Sequence, residues 1–230
     1  MERVSTINGK LPIIVVAPHG YDQDDQNTDL ITETIAHQIE CYGVINRGWE
    51  RSDSVDYLKD KADCNNVYHC NEDVVREEFL EPIIRFKNKI LKNHLFCYIF
   101  YIHGMANKHR SISQEPDLDM VLGYGAGSPN SYTCELWQKN FMLYQLNSSG
   151  IKSYEGRKGG VMSGWSRNNM NQYFRKWDQD NDVQSMQLEI IYELRKEKDL
   201  ASLTADYLAI AMKKLSTTFN WSGNGNWKSY

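Results

Sequence analysis

Residues 11–20 read LPIIVVAPHG, and this stretch decides the fold that the rest of the chain completes. A short run of β-branched and other apolar residues, bounded by proline and glycine, predicts a buried strand. His19 follows the run almost directly, and Asp22 comes three residues later. Open α/β sheets bind their ligands just outside the carboxyl ends of the strands. The stretch therefore predicts a buried strand that delivers an imidazole to a ligand site.

A second stretch repeats the pattern. Residues 95–104 read LFCYIFYIHG, so that His103 and a glycine again follow a long apolar run. A single histidine after a strand is more often a hydrogen-bonded structural residue than a ligand, but the repetition favours a shared site. Two imidazoles with an acidic side chain nearby are the donor types that bind catalytic zinc. The pattern indicates a metal-dependent hydrolase.

Composition sets limits on the class of protein. The chain has 230 residues and a formal net charge of -4, which disfavours a general nucleic-acid binder because no excess of basic residues is present to neutralise phosphates. Its apolar runs are too short to cross a bilayer, and residues 1–6 lack a hydrophobic signal core. The five cysteines form no CxxC pair. We expect a cytoplasmic protein with reduced thiols and no membrane partner.

The pattern of apolar residues predicts strands and helices that alternate along the chain. Strands are expected at 11–17, from 44, and at 95–102, 119–123, 151–154 and 183–191; helices are expected at 28–41, 72–92, 133–146 and 200–215. Thr28 is the expected N-cap of the first helix, and Pro82 is expected to kink or divide the second. Such alternation predicts a single α/β domain over residues 1–230, with a mixed, mostly parallel sheet, helices on both faces and an irregular tail at 217–230.

The segment at 155–181 is rich in glycine and asparagine and lacks periodicity. A loop of that length is usually functional. It contains Arg157, Lys158 and Arg167, which are candidates to bind an anionic group of a substrate. Ordinary solvated loop charge is the competing interpretation of all three residues.

Six short motifs occur in order along the chain. They are Pro18-His-Gly, Asp63-Cys-Asn65, Ile102-His-Gly, Asp119-Met-Val-Leu-Gly123, Gly159-Gly160 and Gln187-Leu-Glu189. Together, over residues 11–195, the chain resembles the N-formylglutamate amidohydrolase family. The resemblance implies the zinc-carboxypeptidase fold, which is phosphorylase/hydrolase-like. It also implies one Zn²⁺ per chain, bound by His19, an acidic residue soon after it, and His103.

The acidic ligand is not fixed by the sequence. Asp22 is favoured because its spacing from His19 matches the His-x-x-acid spacing of carboxypeptidase-like folds. Asp24, Asp25 and Asp29 lie in the same segment and stay open as alternatives, although Asp29 can instead interact with a helix N-terminus.

The resemblance casts Glu189 as the general base that acts on a metal-activated water. It also assigns the Asp-x-Asn-Arg motif to substrate binding, through Asn65 and the residue after it. Here that residue is Asn66, whereas the family pattern has an arginine. Asparagine cannot reproduce the paired hydrogen bonds of a guanidinium with a carboxylate. This departure puts N-formylglutamate itself in doubt as the substrate.

The function expected from the sequence is hydrolysis of a linear, non-peptide amide in an N-acyl amino acid, of the N-formylglutamate or γ-glutamyl type. The partner is then a small molecule or a short peptide. Two alternatives stay open. One is a carboxypeptidase-like zinc peptidase, and the other is a catalytically inactive, metal-binding relative.

Overall fold

The computed structural model describes residues 2–21, 25–106, 118–128 and 130–218. Seven strands of this part form one sheet in the order β1-β3-β2-β4-β7-β5-β6. The strands are β1 Val4–Ile7, β2 Ile13–Ala17, β3 Tyr42–Asn46, β4 Cys97–Met105, β5 Met120–Gly123, β6 Ser153–Glu155 and β7 Val183–Ile191. The β1/β3 and β5/β7 pairs are antiparallel and the other four pairs are parallel. The sheet is mixed and mostly parallel, as the sequence predicts.

Helices cover both faces of the sheet, because successive strand residues point to opposite sides. The helices are α1 Thr28–Gln38, α2 Val67–Cys70, α3 Asp73–Val75, α4 Glu81–Leu91, α5 Leu136–Ser148, α6 Tyr173–Lys176 and α7 Lys198–Thr218. Ile13 and Val15 of β2 share a core with α1, α5 and α7. Ile14 and Val16 lie in a second core, with α4 and the segments around residues 62–70 and 170–174.

The helical region before β4 is divided near Pro82. Arg76–Leu80 forms a π-helical segment, and Pro82 lies in the first turn of α4. Proline has no backbone N–H to donate to the carbonyl four residues earlier, so the regular α-helical ladder is interrupted there. The predicted effect of Pro82 is confirmed.

Several boundaries differ from the prediction. Strand β1 was not expected, since its four residues VSTI carry no apolar run. The residue that caps α1 is Asn27, with φ 62° and no side-chain capping bond, rather than Thr28. Helix α7 continues to Thr218, so residues 217–218 are helical and the predicted irregular tail is shorter at its start. The remaining predicted tail, 219–230, lies outside the described residues.

Two further features bear on later arguments. All five cysteines are buried and none forms a disulfide. Among the helices in the described part of the chain, none combines the length and apolar character needed to cross a membrane.

Candidate metal centre and active site

Three buried side chains meet at the carboxyl end of the parallel strands: His19, Asp25 and His103. His19 follows β2, His103 lies near the end of β4, and Asp25 precedes α1. The two imidazoles come together because β2 and β4 are parallel neighbours. Asp25 Oδ2 lies 3.3 Å from His19 Nδ1 and 3.4 Å from His103 Nδ1. The predicted pairing of the two histidines is present in the structure.

The donor set and its spacing fit a divalent metal ion. Charge-assisted N–H···O bonds are usually about 2.7–2.9 Å long, so both contacts to Asp25 are long for that purpose. Ligands at about 2.05 Å from a tetrahedral zinc ion lie about 3.3 Å from one another, close to both observed distances. Two imidazoles and one carboxylate are a common ligand set of catalytic zinc.

Electrostatic coupling within this cluster is strong. Burial lowers the pKa of His19, but its contacts with Asp25 and Asp63 outweigh burial and raise the pKa to about 9. Burial acts in the opposite sense on Asp25, yet the two histidines hold its pKa well below the usual range. The cluster therefore concentrates negative charge on Asp25 between two nitrogen donors, which favours a cation at this point.

Asp63 contacts Nε2 of His19, the ring nitrogen that does not face Asp25. Its Oδ1 lies 2.9 Å from His19 Nε2 and accepts a hydrogen bond of 2.8 Å from the Asn65 backbone N–H. Burial raises the pKa of Asp63, but these bonds and the charge of His19 lower it below its usual value. A carboxylate on the second nitrogen of a metal-binding histidine fixes the ring and makes it a stronger ligand.

Glu189 lies beside the cluster on the adjacent strand. It is the register partner of His103 in the parallel β4/β7 pair, so both side chains lie on the same face of the sheet. Glu189 Oε1 accepts a hydrogen bond of 2.9 Å from Gln187 Nε2. Burial raises the pKa of Glu189, and the charge of His103 only partly offsets this. The side chain predicted as the general base therefore lies next to His103, one of the predicted ligands.

The structure brings Asp25, one of the alternatives, into the cluster. Asp22, the acid favoured by spacing, and Asp24 lie outside the described residues. Asp29 is in α1, where it forms an ion pair with Arg47 at 2.5 Å. Of the acids that the structure describes in this segment, Asp25 is the one in contact with both histidines.

The two asparagines of the predicted substrate motif have different surroundings. Asn65 Oδ1 is buried and has no hydrogen-bond partner among the described residues. Asn66 caps α2, because its Oδ1 accepts a hydrogen bond of 3.0 Å from the Tyr68 backbone N–H. Since that oxygen is engaged in the cap, the structure gives Asn66 a local structural role where the family pattern has an arginine.

The three candidate anion-binding residues of the 155–181 loop, Arg157, Lys158 and Arg167, are exposed. Arg167 stacks on the Trp177 ring, with its Cζ 5.4 Å from the ring centroid. The backbone N–H groups of Gly159 and Gly160 donate to the carbonyls of Ala126 and Arg157. The backbone amides of the glycine pair are therefore engaged within the protein, and the substrate roles of Arg157, Lys158 and Arg167 stay predictions.

Arg51 is a basic residue near the site that the sequence analysis missed. Glu50 forms a parallel bridge with Lys61, and the Ala62 N–H donates to the Glu50 carbonyl at 2.9 Å. This pairing places Arg51 beside the segment that ends at Asp63. The positive charge of Arg51 lowers the pKa of both Asp63 and Glu189, against the larger effect of burial. No motif marks Arg51, since its position depends on this local pairing.

No protein-family model matches this sequence, nor does the sequence of any curated protein. Solved structures do match its fold. N-formylglutamate amidohydrolase from Ralstonia eutropha superposes with a TM-score of 0.62 at 11% identity, over 94% of this chain and 98% of that one. A bacteriophage poly-gamma-glutamate hydrolase gives 0.54 at 14% identity, over 92% and 86% of the chains. A metallo-carboxypeptidase from Burkholderia cenocepacia gives 0.52 at 9% identity, over 94% and 65%. The chain therefore has the zinc-carboxypeptidase-like fold that the sequence resemblance implied.

Proposed function

We propose that this chain is a metal-dependent amidohydrolase that cleaves a linear amide in an N-acyl amino acid, of the N-formylglutamate or γ-glutamyl type. The observation that carries the proposal is the buried His19–Asp25–His103 cluster with Glu189 in register beside His103. A cluster with a purely structural role would not require the carboxylate of Glu189 beside the three side chains that can bind a metal ion.

His19, Asp25 and His103 would hold the metal ion, and their nitrogen and oxygen donors suit zinc. When bound, such an ion supplies Lewis acidity that polarises a carbonyl and lowers the pKa of a coordinated water. Asp63 would keep the His19 ring in place through its 2.9 Å contact with Nε2.

Glu189 would move the proton. Its Oε1 accepts the hydrogen bond from Gln187, so Oε2 is the oxygen we assign to proton transfer. A raised pKa makes this carboxylate a better base for the attacking water and a reservoir for that proton. The same oxygen would then give the proton to the leaving nitrogen, since a neutral amide nitrogen leaves only after it is protonated.

The substrate class is supported by the chemistry and by the comparisons. Arg51 supplies positive charge near Asp63 and Glu189, which suits a substrate with a carboxylate near the scissile amide. The Ralstonia and bacteriophage enzymes are both named for amides of glutamate, and both match this chain over most of their length. The metallo-carboxypeptidase is matched over a smaller share, 65% of its length.

The test combines metal content with a substrate panel. Purified protein loaded with Zn²⁺ should hold close to one ion per chain and should hydrolyse N-formylglutamate, other N-acyl amino acids or a γ-glutamyl amide. Glu189→Gln should keep the metal and lower kcat by about 100- to 10,000-fold. Glu193→Gln is the matched control, because Glu193 pairs with Lys196 on the turn after β7 and does not line the cluster.

Other outcomes would contradict the proposal in distinct ways. Turnover of C-terminal peptide substrates alone would favour the peptidase. Zinc binding without hydrolysis of any panel member would favour an inactive relative. Full activity of Glu189→Gln would show that another group is the base.

A further inference from the structure

Arg195 is a buried arginine in the turn that joins β7 to α7, with 5% of its surface exposed. Its guanidinium donates to three backbone carbonyls. Nε lies 3.2 Å from the Ile190 oxygen, Nη1 2.9 Å from the Gln26 oxygen and Nη2 3.4 Å from the Met105 oxygen. One side chain therefore joins three segments that are distant in sequence.

Each of these carbonyls belongs to a segment that carries a residue of the candidate site. Gln26 follows Asp25, Ile190 follows Glu189, and Met105 lies two residues after His103. A second hydrogen bond joins the start of α1 to this turn, because Asn27 Nδ2 donates to the Arg195 backbone carbonyl at 2.6 Å. Arg195 thus contacts the backbone within two residues of two proposed ligands and of the proposed base, without lying in the ligand set.

Gly104 explains how the guanidinium reaches this position. A Cβ at Gly104 would lie 2.3 Å from Arg195 Cζ and 2.4 Å from Nη2, closer than nonbonded atoms approach. The glycine after His103 therefore leaves the space that the guanidinium occupies. Packing against Arg195 therefore explains why a glycine follows His103 on β4.

Arginine suits this position better than lysine. The guanidinium is planar and has donors in fixed directions, so it can bind three carbonyls that converge from different sides. A lysine ammonium is a compact group on a flexible stem and cannot span the same three acceptors. Loss of the guanidinium would leave three carbonyls at the strand ends without this donor, and the segments would be free to shift.

We propose that Arg195 is a positioning residue that fixes the relative placement of Asp25, His103 and Glu189 through the backbones of Gln26, Met105 and Ile190. The inference rests on the proposed function, because it assumes that the three side chains act together on a metal ion. Partners that orient metal ligands from outside the ligand set typically contribute about 10- to 100-fold in metal affinity or activity.

The test measures metal binding directly. Zn²⁺ affinity is obtained by competition with a chromophoric chelator, and the visible absorption of the Co²⁺-loaded protein reports ligand geometry. Arg195→Lys and Arg195→Met remove the contacts with the three carbonyls. Gly104→Ala keeps Arg195 but adds a methyl group that displaces its guanidinium. Arg47→Met is the matched control, since Arg47 pairs with Asp29 and Glu33 of α1. Circular dichroism selects the variants that fold.

We expect the Arg195 and Gly104 variants to bind Zn²⁺ about 10- to 100-fold more weakly and to change the Co²⁺ spectrum, whereas Arg47→Met keeps both properties. If Arg195→Met does not fold, Arg195→Lys and Gly104→Ala decide the result. Folded variants with wild-type Zn²⁺ affinity and an unchanged Co²⁺ spectrum would overturn this inference but leave the proposed function standing. A wild-type chain that binds neither ion would overturn the proposed function, and this inference with it.

Discussion

His103 on β4 and Glu189 on β7 lie directly opposite each other in the parallel pairing of the two strands. The register continues from Cys97↔Val183 to Met105↔Ile191, so nine pairs fix it. A slip of one residue would turn Glu189 to the other face of the sheet. The distance between a candidate ligand and the candidate base is therefore set by the core of the sheet rather than by a loop.

Asp25→Asn should weaken Zn²⁺ binding by more than about 100-fold, since loss of a direct ligand should exceed the usual effect of an outer partner. Asp29→Asn should leave Zn²⁺ affinity unchanged, because Asp29 pairs with Arg47. Chelator competition measures both variants. If Asp22→Asn removes the metal while Asp25→Asn does not, the His-x-x-acid spacing identifies the ligand and our assignment of Asp25 is wrong.

Asp63→Asn should lower Zn²⁺ affinity by about 10- to 100-fold, because the amide orients and polarises the His19 ring less well than a carboxylate does. Asp60→Asn is the control in the same segment, where Asp60 binds Arg3 at 2.6 Å. Isothermal titration of the metal-free proteins with Zn²⁺ gives both affinities. Equal Zn²⁺ affinity for wild type and Asp63→Asn would show that Asp63 does not contribute to metal binding.

Asn66→Ala should lower the free energy of unfolding by about 1 kcal/mol, since it removes the N-cap of α2. KM should stay unchanged, because the side chain of Asn66 is engaged in the cap. Urea denaturation and steady-state kinetics on the same preparation check both statements. A large rise in KM with unchanged stability would support the substrate role predicted for Asn66.

Arg51→Met should lower kcat/KM for an anionic N-acyl amino acid by about 10- to 100-fold, the usual worth of a hydrogen bond to a charged group. Arg47→Met should have little effect, because Arg47 pairs with Asp29 and Glu33 of α1. An uncharged amide analogue of the same substrate provides the second control. Equal losses on the charged and neutral substrates would argue against a role of Arg51 in anion binding.

Much of the fold could be predicted from sequence. Strand β7 has the predicted bounds, 183–191, although its sequence VQSMQLEII includes polar residues. Strand β2 lies within its predicted apolar run, because buried central strands carry continuous apolar sequence. Strand β1 could not be predicted, since an edge strand of four residues with mixed burial has no such signal. The observed ends of α1 and α7 differ from the predicted ends by a few residues, because helix ends depend on tertiary contacts.

The candidate site was predicted in part. His19, His103 and Glu189 follow or end strands, so a parallel sheet brings them together. Asp25 could not be chosen over its neighbours, because ligand identity depends on how the loop folds. Arg195 carried no signal at all, since its contact with Gln26 joins residues 169 positions apart in the chain. Asn66 showed a departure from the family pattern, but only the structure shows its bond to the Tyr68 amide.

The burial of all five cysteines has a practical consequence for work on this protein. Burial raises the pKa of the Cys41 and Cys134 thiols to about 12, and thiolates are the species that alkylating reagents attack. A maleimide added to the native protein should therefore react only with molecules in which the chain has opened around a thiol. Labelling time courses can then measure opening of the folded state without an engineered probe.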